Sequence, residues 1–337
     1  MMSRYIKALA NFSVAALIFT GVIVGLFSIL GYFSESHFEN DLLSHFRVQY
    51  FLILLLLTVV FLKHKRRAWP LFFAAMMVVN GFEIEPYYRT PRHASPKGHS
   101  ANLRLMQINL WSMHEDYPKV LKAIKEANPD VISFQELTAH SQTTFERELP
   151  QYPFRIMRAQ EDCFGIGIMS RYRLDEAEVF QAIDTAKQLE SPPMVAAKLN
   201  FFGHPCKILS VHLLPPIYSR SCLTNQLSCQ KIETICQETR PDTSEPGHPS
   251  LILIGDLNLT RHSSVFRKLA RECRLEDSEE GFGFQPSFPT QVPLLRIPID
   301  HCLYSSDLTV THRQLGGYVG SDHFPLIVDL QIPLHSH

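Results

Sequence analysis

The stretch LILIGDLNLT, residues 251–260, decides how this chain folds and what chemistry it can carry. Its four leading apolar residues predict a short buried strand, and Gly255 permits a tight backbone turn after it. Because alternate residues of a strand share a face, Asp256 and Asn258 should point the same way, with Leu257 turned inward. A carboxylate that holds a water beside an amide that donates to an oxyanion suits a phosphoryl centre. An isolated D-x-N is equally typical of an Asx turn that closes a strand.

The charge of the chain is balanced overall but unevenly placed. Residues 1–100 contain 10 Lys/Arg and 5 Asp/Glu, and residues 101–337 contain 22 and 28, a net charge of 22 − 28 = −6. A protein that grips nucleic acid through its phosphates needs a basic surface. The composition therefore argues against strong, sequence-independent binding to a polyanion.

Three apolar segments near the N-terminus predict a membrane region at residues 1–85. Residues 8–33 are uncharged and long enough to cross a bilayer as a helix. A cleaved signal peptide is the alternative, but a second apolar run at 48–62 favours a retained span. The third run, at 68–84, is a span or a helix lying in the interface. We therefore predict two or three transmembrane helices.

The basic residues predict the orientation of these spans. Arg4 and Lys7 precede the first span, and KHKRR, Lys63–Arg67, separates the second from the third. By the positive-inside rule these segments face the cytoplasm. Three spans then place the remainder of the chain on the periplasmic or extracellular side of the membrane, whereas two spans leave it inside.

Residues 86–101, rich in Pro, Ser and His, predict a linker. After it, short strands outnumber helices, which favours an α+β fold in which two sheets pack together with helices outside. The predicted strands are 103–110, 131–134, 165–171, 194–202, 207–213, 251–259, 299–304 and 325–332. The predicted helices are 115–127, 222–238 and 263–273.

Polar residues recur at the ends of the predicted strands, where one edge of a sandwich would collect them into a single site. Each has a structural explanation when taken alone, such as a turn cap or a hydrogen-bonded core histidine. Their joint occurrence is hard to obtain from structural demands only. The residues are Asn109, Glu136, His212, Asp256, Asn258, Asp300, Asp322 and His323.

In these motifs the chain resembles the endonuclease/exonuclease/phosphatase superfamily, which has the DNase I-like fold. The motifs are QINLW, SFQE, GIGIMSR, SVHL, GDLN, PIDHCLYS and SDHFP, in the order of the family. The resemblance implies a four-layered α/β/β/α sandwich over about residues 102–334. The N-terminal helices are similar to those that anchor small bacterial members.

The resemblance also implies a role for each residue of the predicted site. Glu136 would hold Mg2+ or Mn2+, with Asn109 nearby as a second metal residue and Asp322 as a further ligand or support. Asp256 would activate the attacking water, while Asn258 and His212, with Asn109, would contact the substrate phosphate. His323 would act as the acid/base histidine, oriented by Asp300. A non-catalytic binding domain that retains the fold is the alternative, but it would be expected to lack at least one of these groups.

The substrate class stays open between two kinds of phosphodiester. His212 stands where abasic-site endonucleases of the superfamily carry Tyr, which resembles the DNase, sphingomyelinase and inositol-phosphatase branches. We rank nucleic acid slightly above a phospholipid or inositol phosphate as substrate. The bilayer is an expected partner, and no obligate protein partner is evident.

All seven cysteines follow Asp162, and no C-x-x-C zinc spacing occurs. Cys222, Cys229 and Cys236 recur every seven residues. On a helix they would line one face about 10 Å apart, too far to bridge each other. Small buried core residues are the simpler interpretation, with one or two disulfides open if the domain lies outside the cell.

Overall fold

The computed structural model describes residues 2–33, 38–63, 67–90, 100–114, 117–239 and 248–333. The chain divides into two compact units. The N-terminal unit comprises Met1–Pro86 with His262–Ser264, and the C-terminal unit comprises Tyr87–Arg261 with Val265–His337.

The N-terminal unit is helical. Its helices are α1, Met2–Leu30; α2, Phe38–Ser44; α3, Arg47–Phe61; and α4, Ala68–Ile84. The segment Asn11–Phe33 is long and apolar enough to cross a membrane, with a mean hydropathy of 2.4. The apolar α3 has only 15 residues, so the presence of two or three spans stays a prediction. The same holds for the orientation, because residues 64–66 of the basic loop lie outside the described residues.

The C-terminal unit contains the remaining four helices and fourteen strands, two of them short. The helices are α5, Pro118–Ala127; α6, Ala139–Glu148; α7, Ser219–Thr239; and α8, Ser264–Glu272, whose first residue belongs to the N-terminal unit. The strands are β1, Ser100–Asn109; β2, Val131–Gln135; β3, Phe154–Arg158; β4, Ile166–Ser170; β5, Leu174–Phe180; β6, Ile183–Asp184; β7, Leu189–Glu190; β8, Met194–Phe201; β9, His204–His212; β10, Ser250–Asp256; β11, Leu275–Asp277; β12, Asp300–Ser305; β13, Thr309–Leu315; and β14, Leu326–Pro333.

Two six-stranded sheets form the centre of this unit. The first has the order β13-β14-β1-β2-β4-β3 and the second β11-β12-β10-β9-β8-β5. In each sheet a central pair is parallel, β1 with β2 and β9 with β10, and the flanking strands are antiparallel. The carboxyl ends of these four strands therefore lie at one edge of their sheets, which we call the site edge.

The apolar side chains form three layers of core, so the unit is a mixed α/β fold built on two packed sheets. One cluster fills the space between the sheets and includes Leu105 and Ile254. A second packs α7 and α8 on the outer face of the second sheet. A third packs α5 and α6 on the outer face of the first. This α/β/β/α arrangement agrees with the predicted sandwich.

The period-two alternation of the strands explains why polar groups collect between the sheets. In β10, Ile252 and Ile254 face the inter-sheet core, and Asp256 continues the same face at the end of the strand. In β1, Leu103 and Leu105 face that core, and Asn109 continues their face. The side chains at the ends of these strands that face the other sheet therefore meet in one cleft.

The structure differs from the sequence prediction in several elements. The helix α6 was missed because only one large apolar residue, Phe145, occurs among its ten. That ring stacks on Phe134 at 4.9 Å, and a reciprocal cap between Thr138 and Ser141 begins the helix. The strands β3, β5, β6, β7, β11 and β13 and the helix α2 were also not predicted.

The segment predicted as a linker is ordered at both ends. Residues Ser100 and Ala101 begin β1, and Tyr87 is fully buried in the C-terminal unit. The carbonyl of Tyr87 accepts a hydrogen bond from Gly283 N at 2.7 Å, and its ring packs on Phe284. Residues 91–99 lie outside the described residues.

Candidate active site

The predicted site residues lie together at the site edge of the two sheets. Asn109 ends β1, Glu136 follows β2, His212 ends β9, Asp256 ends β10, and Asp300 begins the antiparallel β12. The pairing registers bring Asp256 opposite both His212 and Asp300.

Asn109 links the two sheets through its amide. Its Nδ2 donates to Asp256 Oδ2 at 3.0 Å and to Glu136 Oε1 at 3.1 Å. Its Oδ1 accepts from Trp111 N at 2.9 Å, which fixes the orientation of the amide. The amide oxygen therefore faces away from both carboxylates. In this arrangement Asn109 bridges Glu136 and Asp256, and its role as a metal ligand stays a prediction.

Glu136 sits at a backbone position that bends the chain into the cleft. Its φ is 58°, in the left-handed region, directly after β2 ends. The Oε2 atom accepts from Ser112 N at 2.8 Å. The side chain is partly exposed, which leaves its oxygens accessible to a hydrated cation.

His323 is held by the carboxylate of Asp300. Its Nδ1 lies 2.8 Å from Asp300 Oδ2, so Nδ1 carries the proton and Nε2 points elsewhere. Asp300 Oδ1 accepts from Gln107 Nε2 at 2.7 Å. The ring of Phe288 covers the imidazole at 4.7 Å between centroids. Hydrogen bonds and packing together fix the imidazole in one orientation.

Asp256 lies between two histidines. Its Oδ2 is 3.6 Å from His323 Nε2 and 3.6 Å from His212 Nε2. Burial raises the pKa of the Asp256 carboxyl to about 6, although both histidines act to lower it. Burial lowers the pKa of His323, but Asp300 and Asp256 outweigh it and raise the value to about 10. At neutral pH the cleft therefore holds an ionised Asp256 beside a protonated His323.

The turn after β10 depends on the backbone of Gly255 and on a hydrogen bond between Asp256 and Asn258. Gly255 has φ +155°, and a Cβ there would lie 1.9 Å from Val211 O. The strand ends at Asp256, earlier than the predicted residue 259. Asn258 N donates to Asp256 Oδ1 at 2.8 Å, and Asn258 itself has φ 51°. Asp256 thus forms the Asx turn that the sequence also allowed, and Leu257 is fully buried.

The Asn258 amide is oriented by the neighbouring strand. Its Nδ2 donates to Leu213 O at 2.8 Å, and Leu213 N donates to Asp256 O at 3.0 Å. The position of the Asn258 amide is therefore set by the backbone of Leu213, the residue that follows His212.

Asp322 lies at the rim of the same cleft and is partly exposed. Burial raises the pKa of its carboxyl; His323 opposes this, and the Glu136 carboxylate adds to it. The two carboxylates are thus within electrostatic reach of each other. The adjacent Ser321 Oγ donates to Asn109 O at 2.7 Å and accepts from His323 N at 3.0 Å.

The chemistry of these donors fits a divalent cation. Glu136 and Asp322 offer hard carboxylate oxygens, and their partial exposure leaves room for waters that Mg2+ keeps. The ligating atoms of Asp256, Asp300 and His323 also lie within 4.8 Å of one another, but these three side chains are buried and His323 Nδ1 is already bonded to Asp300 Oδ2 at 2.8 Å. Among the described residues, Glu136 and Asp322 are therefore the better candidate ligands.

The sequence analysis missed a buried polar chain behind the site. Gln107 Nε2 also contacts Gln135 Oε1 at 2.8 Å, Gln135 Nε2 donates to Ser133 Oγ at 2.8 Å, and Ser133 Oγ lies 2.7 Å from Ser210 Oγ. Gln107 lies two residues before Asn109 on β1, and Gln135, the last residue of β2, immediately precedes Glu136. Their polarity at inward-facing positions was the available signal.

A second buried cluster lies under β12. It comprises Asp277, Glu279 and His301, whose ligating atoms lie within 4.8 Å of one another. Arg261 Nη1 lies 3.5 Å from Asp277 Oδ2, and Arg313 Nη1 lies 3.9 Å from Glu279 Oε1. Because two arginines balance two carboxylates, we interpret this cluster as a structural ion network.

The cysteines form one disulfide within the C-terminal unit. Cys236 on α7 bonds to Cys273, the residue after α8, with Cα atoms 5.3 Å apart. Cys222, Cys229 and Cys236 form no disulfide with one another, as their spacing along one face of a helix predicts.

The sequence matches the profile of the endonuclease/exonuclease/phosphatase family over residues 106–323. This match covers more than half of the chain and contains every residue of the candidate site. The chain belongs to the endonuclease/exonuclease/phosphatase family. No curated protein sequence is significantly similar to it.

Solved structures with the same fold include members of this family with different functions. A family protein from Bacteroides thetaiotaomicron is 17% identical, with a TM-score of 0.55, covering 72% of this chain and 100% of its own. A mannosyl-6-phosphatase from the same organism is 17% identical, with a TM-score of 0.55, covering 68% and 99%. D. rerio TDP2 in complex with a single-stranded DNA product is 18% identical, with a TM-score of 0.52, covering 68% and 99%. Identities this low establish the shared fold alone.

Proposed function

We propose that this chain is a membrane-anchored, divalent-metal-dependent phosphoesterase that hydrolyses phosphodiester bonds with an activated water. The observation that supports it most directly is the position of Asp256. Its carboxylate is held by Asn109 at 3.0 Å and lies 3.6 Å from two histidines, one of which is held by Asp300. A buried carboxylate beside a protonated His323 can accept a proton from an attacking water while the imidazolium donates to the phosphoester.

Glu136 and Asp322 would hold Mg2+ or Mn2+. The bound cation would neutralise charge on the phosphate oxygens as the transition state forms. Asn109 would keep Glu136 and Asp256 apart and oriented, since its amide donates to both carboxylates. The family is typically dependent on divalent metals, which agrees with this donor set.

Side chains of the site would carry out the proton transfers and contact the phosphate. The water oxygen bonds to phosphorus, Asp256 accepts a proton from that water, and the bond from phosphorus to the leaving oxygen breaks. His323, protonated at neutral pH, donates the proton that the leaving oxygen takes up. His212 and Asn258 would contact the phosphate oxygens. Asp300 keeps the His323 ring oriented and stabilises its charged form.

The membrane anchor rests on the N-terminal apolar helix. The segment Asn11–Phe33 meets the length and composition of a span. We propose that it is retained as an anchor and that the C-terminal unit lies on the outer side of a bacterial inner membrane. A signal sequence near the N-terminus would satisfy the same length and composition.

The function is tested by assaying the full chain, purified in detergent, on a panel of phosphodiesters and phosphomonoesters. The panel contains bis(4-nitrophenyl) phosphate, 4-nitrophenyl phosphate, single- and double-stranded DNA, RNA and phospholipid vesicles. We expect hydrolysis of at least one diester with Mg2+ or Mn2+ and none with excess chelator. Absence of hydrolysis on the whole panel with both metals would leave a non-catalytic binding domain as the function.

A further inference from the structure

Exposed apolar side chains in the C-terminal unit gather at the site edge. Among its described residues, seven of the twelve exposed large hydrophobic side chains lie on the four loops that surround the candidate site. These seven are Met113, Ile217, Tyr218, Val292, Leu294, Leu295 and Tyr318. We call this set the apolar rim.

The contacts of each loop fix its place beside the site. Met113 follows Ser112, whose backbone donates to Glu136. Ile217 and Tyr218 follow the strand end that carries His212. Tyr318 lies on the loop that leads to His323.

The loop with Val292, Leu294 and Leu295 is anchored to the site at both of its ends. On one side Thr290 N donates to Asp322 O at 2.8 Å. On the other, Ile297 N donates to Phe288 O at 2.6 Å, and Phe288 packs on His323. Between these anchors all five residues 291–295 are exposed, and Leu294 is 86% exposed. A soluble surface rarely exposes such a contiguous apolar stretch without a partner.

At the opposite edge of the sheets, fewer such groups occur among the residues that the structure describes, which there exclude 91–99, 240–247 and 334–337. Phe202 lies in the turn between β8 and β9, and Phe154 begins β3, where it pairs with Ser170. Both positions lie at the strand ends remote from the site. The apolar surface is therefore concentrated on the edge that contains the chemistry.

The chain enters the C-terminal unit near that same edge. Tyr87 is buried against Gly283 and Phe284, and Arg261 lies 5.2 Å from its ring. Arg261 follows β10 by five residues and so lies on the loop beyond Asp256. The apolar helix α4 ends at Ile84, three residues before Tyr87. Within the C-terminal unit, Tyr87 therefore lies beside the loop that follows Asp256.

Basic side chains accompany the apolar rim. Lys119 is exposed with its Nζ 5.3 Å from the ring of Tyr318. Arg220, two residues after Tyr218, is also exposed. Aromatic and aliphatic groups mixed with lysine and arginine suit the headgroup region of a bilayer with anionic lipids.

We propose that the apolar rim seats on a phospholipid bilayer and that the substrate is a lipid phosphoester presented at its surface. This proposal rests on the phosphoesterase function proposed above and names its substrate class. The excess of six acids over bases in residues 101–337, 28 against 22, disfavours a long polyanion as the alternative. In the reaction the water oxygen bonds to the lipid phosphorus, one ester bond from phosphorus to oxygen breaks, and the leaving oxygen takes a proton.

The surface is tested directly by photo-crosslinking in the full chain. The variant Leu294→p-benzoylphenylalanine places a photoreactive group on the apolar rim, and Phe202→p-benzoylphenylalanine is the matched control at the opposite edge. Both are reconstituted into nanodiscs of phosphatidylcholine and phosphatidylglycerol and irradiated. We expect lipid adducts by mass spectrometry at position 294 and none at 202. No adduct at 294, or equal adducts at both positions, would overturn the docking surface.

The substrate class is tested with the double variant Leu294→Ser/Leu295→Ser and the control Phe202→Ser. Lipid headgroup release is measured on vesicles containing phosphatidylcholine, phosphatidylethanolamine, phosphatidylglycerol, sphingomyelin and phosphatidylinositol phosphate, beside bis(4-nitrophenyl) phosphate in solution. We expect the double variant to lose about tenfold of the vesicle rate, with the soluble rate and the control unchanged.

The outcomes separate the two proposals. Hydrolysis of the soluble diester without release of any headgroup would overturn the lipid substrate and leave the phosphoesterase intact. An equal loss of both rates in the double variant would overturn the role of the rim. Lipid adducts at position 294 without hydrolysis of any substrate would support the docking surface and contradict the phosphoesterase.

Discussion

His323 Nδ1 lies 2.8 Å from Asp300 Oδ2, and both groups are buried. Burial acts to raise the pKa of Asp300, but His323 and the hydrogen bonds from it and from neighbouring groups hold that pKa below its ordinary value. An ionised Asp300 beneath His323 keeps Nε2 of the imidazole directed at Asp256, 3.6 Å away. This pair therefore supplies the proton donor of the proposed reaction.

The first prediction concerns this pair. Asp300→Asn should lower kcat by about 10²–10⁴-fold, because the imidazole loses the carboxylate that orients it and stabilises its charge. The control is Asp175→Asn, a carboxylate on β5 that pairs with Arg173 at the surface. Thermal unfolding is measured together with turnover of an unactivated diester of the panel, whose alkoxide leaving group needs a proton. Retention of wild-type kcat in a folded Asp300→Asn protein would contradict the role of Asp300.

A second prediction concerns the turn that carries Asp256. Gly255→Ala should destabilise the protein by about 3 kcal/mol or more, since its Cβ would lie 1.9 Å from Val211 O at φ +155°. Gly317→Ala is the matched control, because a Cβ there meets nothing within 4 Å. It should change the free energy of unfolding by less than about 0.5 kcal/mol. Equal unfolding midpoints for the two variants would show that the turn tolerates a side chain.

A third prediction concerns Glu279 and the dependence of stability on pH. Burial, with a contribution from Asp277, raises the pKa of Glu279 from 4.5 to about 7, although Arg313 opposes the shift. The folded state therefore binds more protons than the unfolded state between these two pH values. The free energy of unfolding should fall as pH rises through this window, by on the order of 3 kcal/mol from this group.

The substitution Glu279→Gln removes this titration. Its unfolding temperature should vary less between about pH 5 and about pH 8 than that of the wild type, and it should exceed the wild-type value at the higher pH. Glu126→Gln is the control, because the Glu126 side chain is 68% exposed. An unaltered pH dependence in Glu279→Gln would show that Glu279 is ionised at the same pH in both states.

The fourth prediction concerns the membrane topology. Three spans place the chain after α4 outside, so a reporter active only outside the cytoplasm should function when fused after Ser100. A reporter active only in the cytoplasm should function when fused after Arg67. Cytoplasmic activity of a reporter fused after Ser100 would show that the third segment does not cross.

The sequence predicted the site better than it predicted the elements that support it. Strand alternation is a local property, so the sequence shows which side chains at the ends of the strands face the space between the sheets. On this basis it placed Asp256, His212 and Asn109 together at one edge. The hydrogen bond from Asn109 to two carboxylates could not be predicted, since the orientation of an amide depends on a backbone donor, Trp111 N, from a turn. The metal-binding role that the resemblance implies for Asn109 stays a prediction.

Elements that bury only a few residues could also not be predicted from the sequence. The helix α6 is held by Phe145 and a cap, and β3 has no fully buried residue, so neither has a strong hydrophobic period. The Cys236–Cys273 bond joins residues 37 apart in the chain. Its pairing follows from the packing of two helices, which spacing along the chain does not encode.

The measurement that tests the account most directly is a Mg2+ titration of phosphodiester hydrolysis by the full chain and by two variants. Asp256→Asn removes the proposed base and should lower kcat by at least about 10²-fold at every Mg2+ concentration. Glu136→Gln removes a proposed ligand and should shift the titration to higher Mg2+, with Glu161→Gln, an exposed carboxylate, as its control. Wild-type kcat in Asp256→Asn, or a wild-type titration in Glu136→Gln, would contradict the assignment of this cleft as a metal-dependent phosphoesterase site.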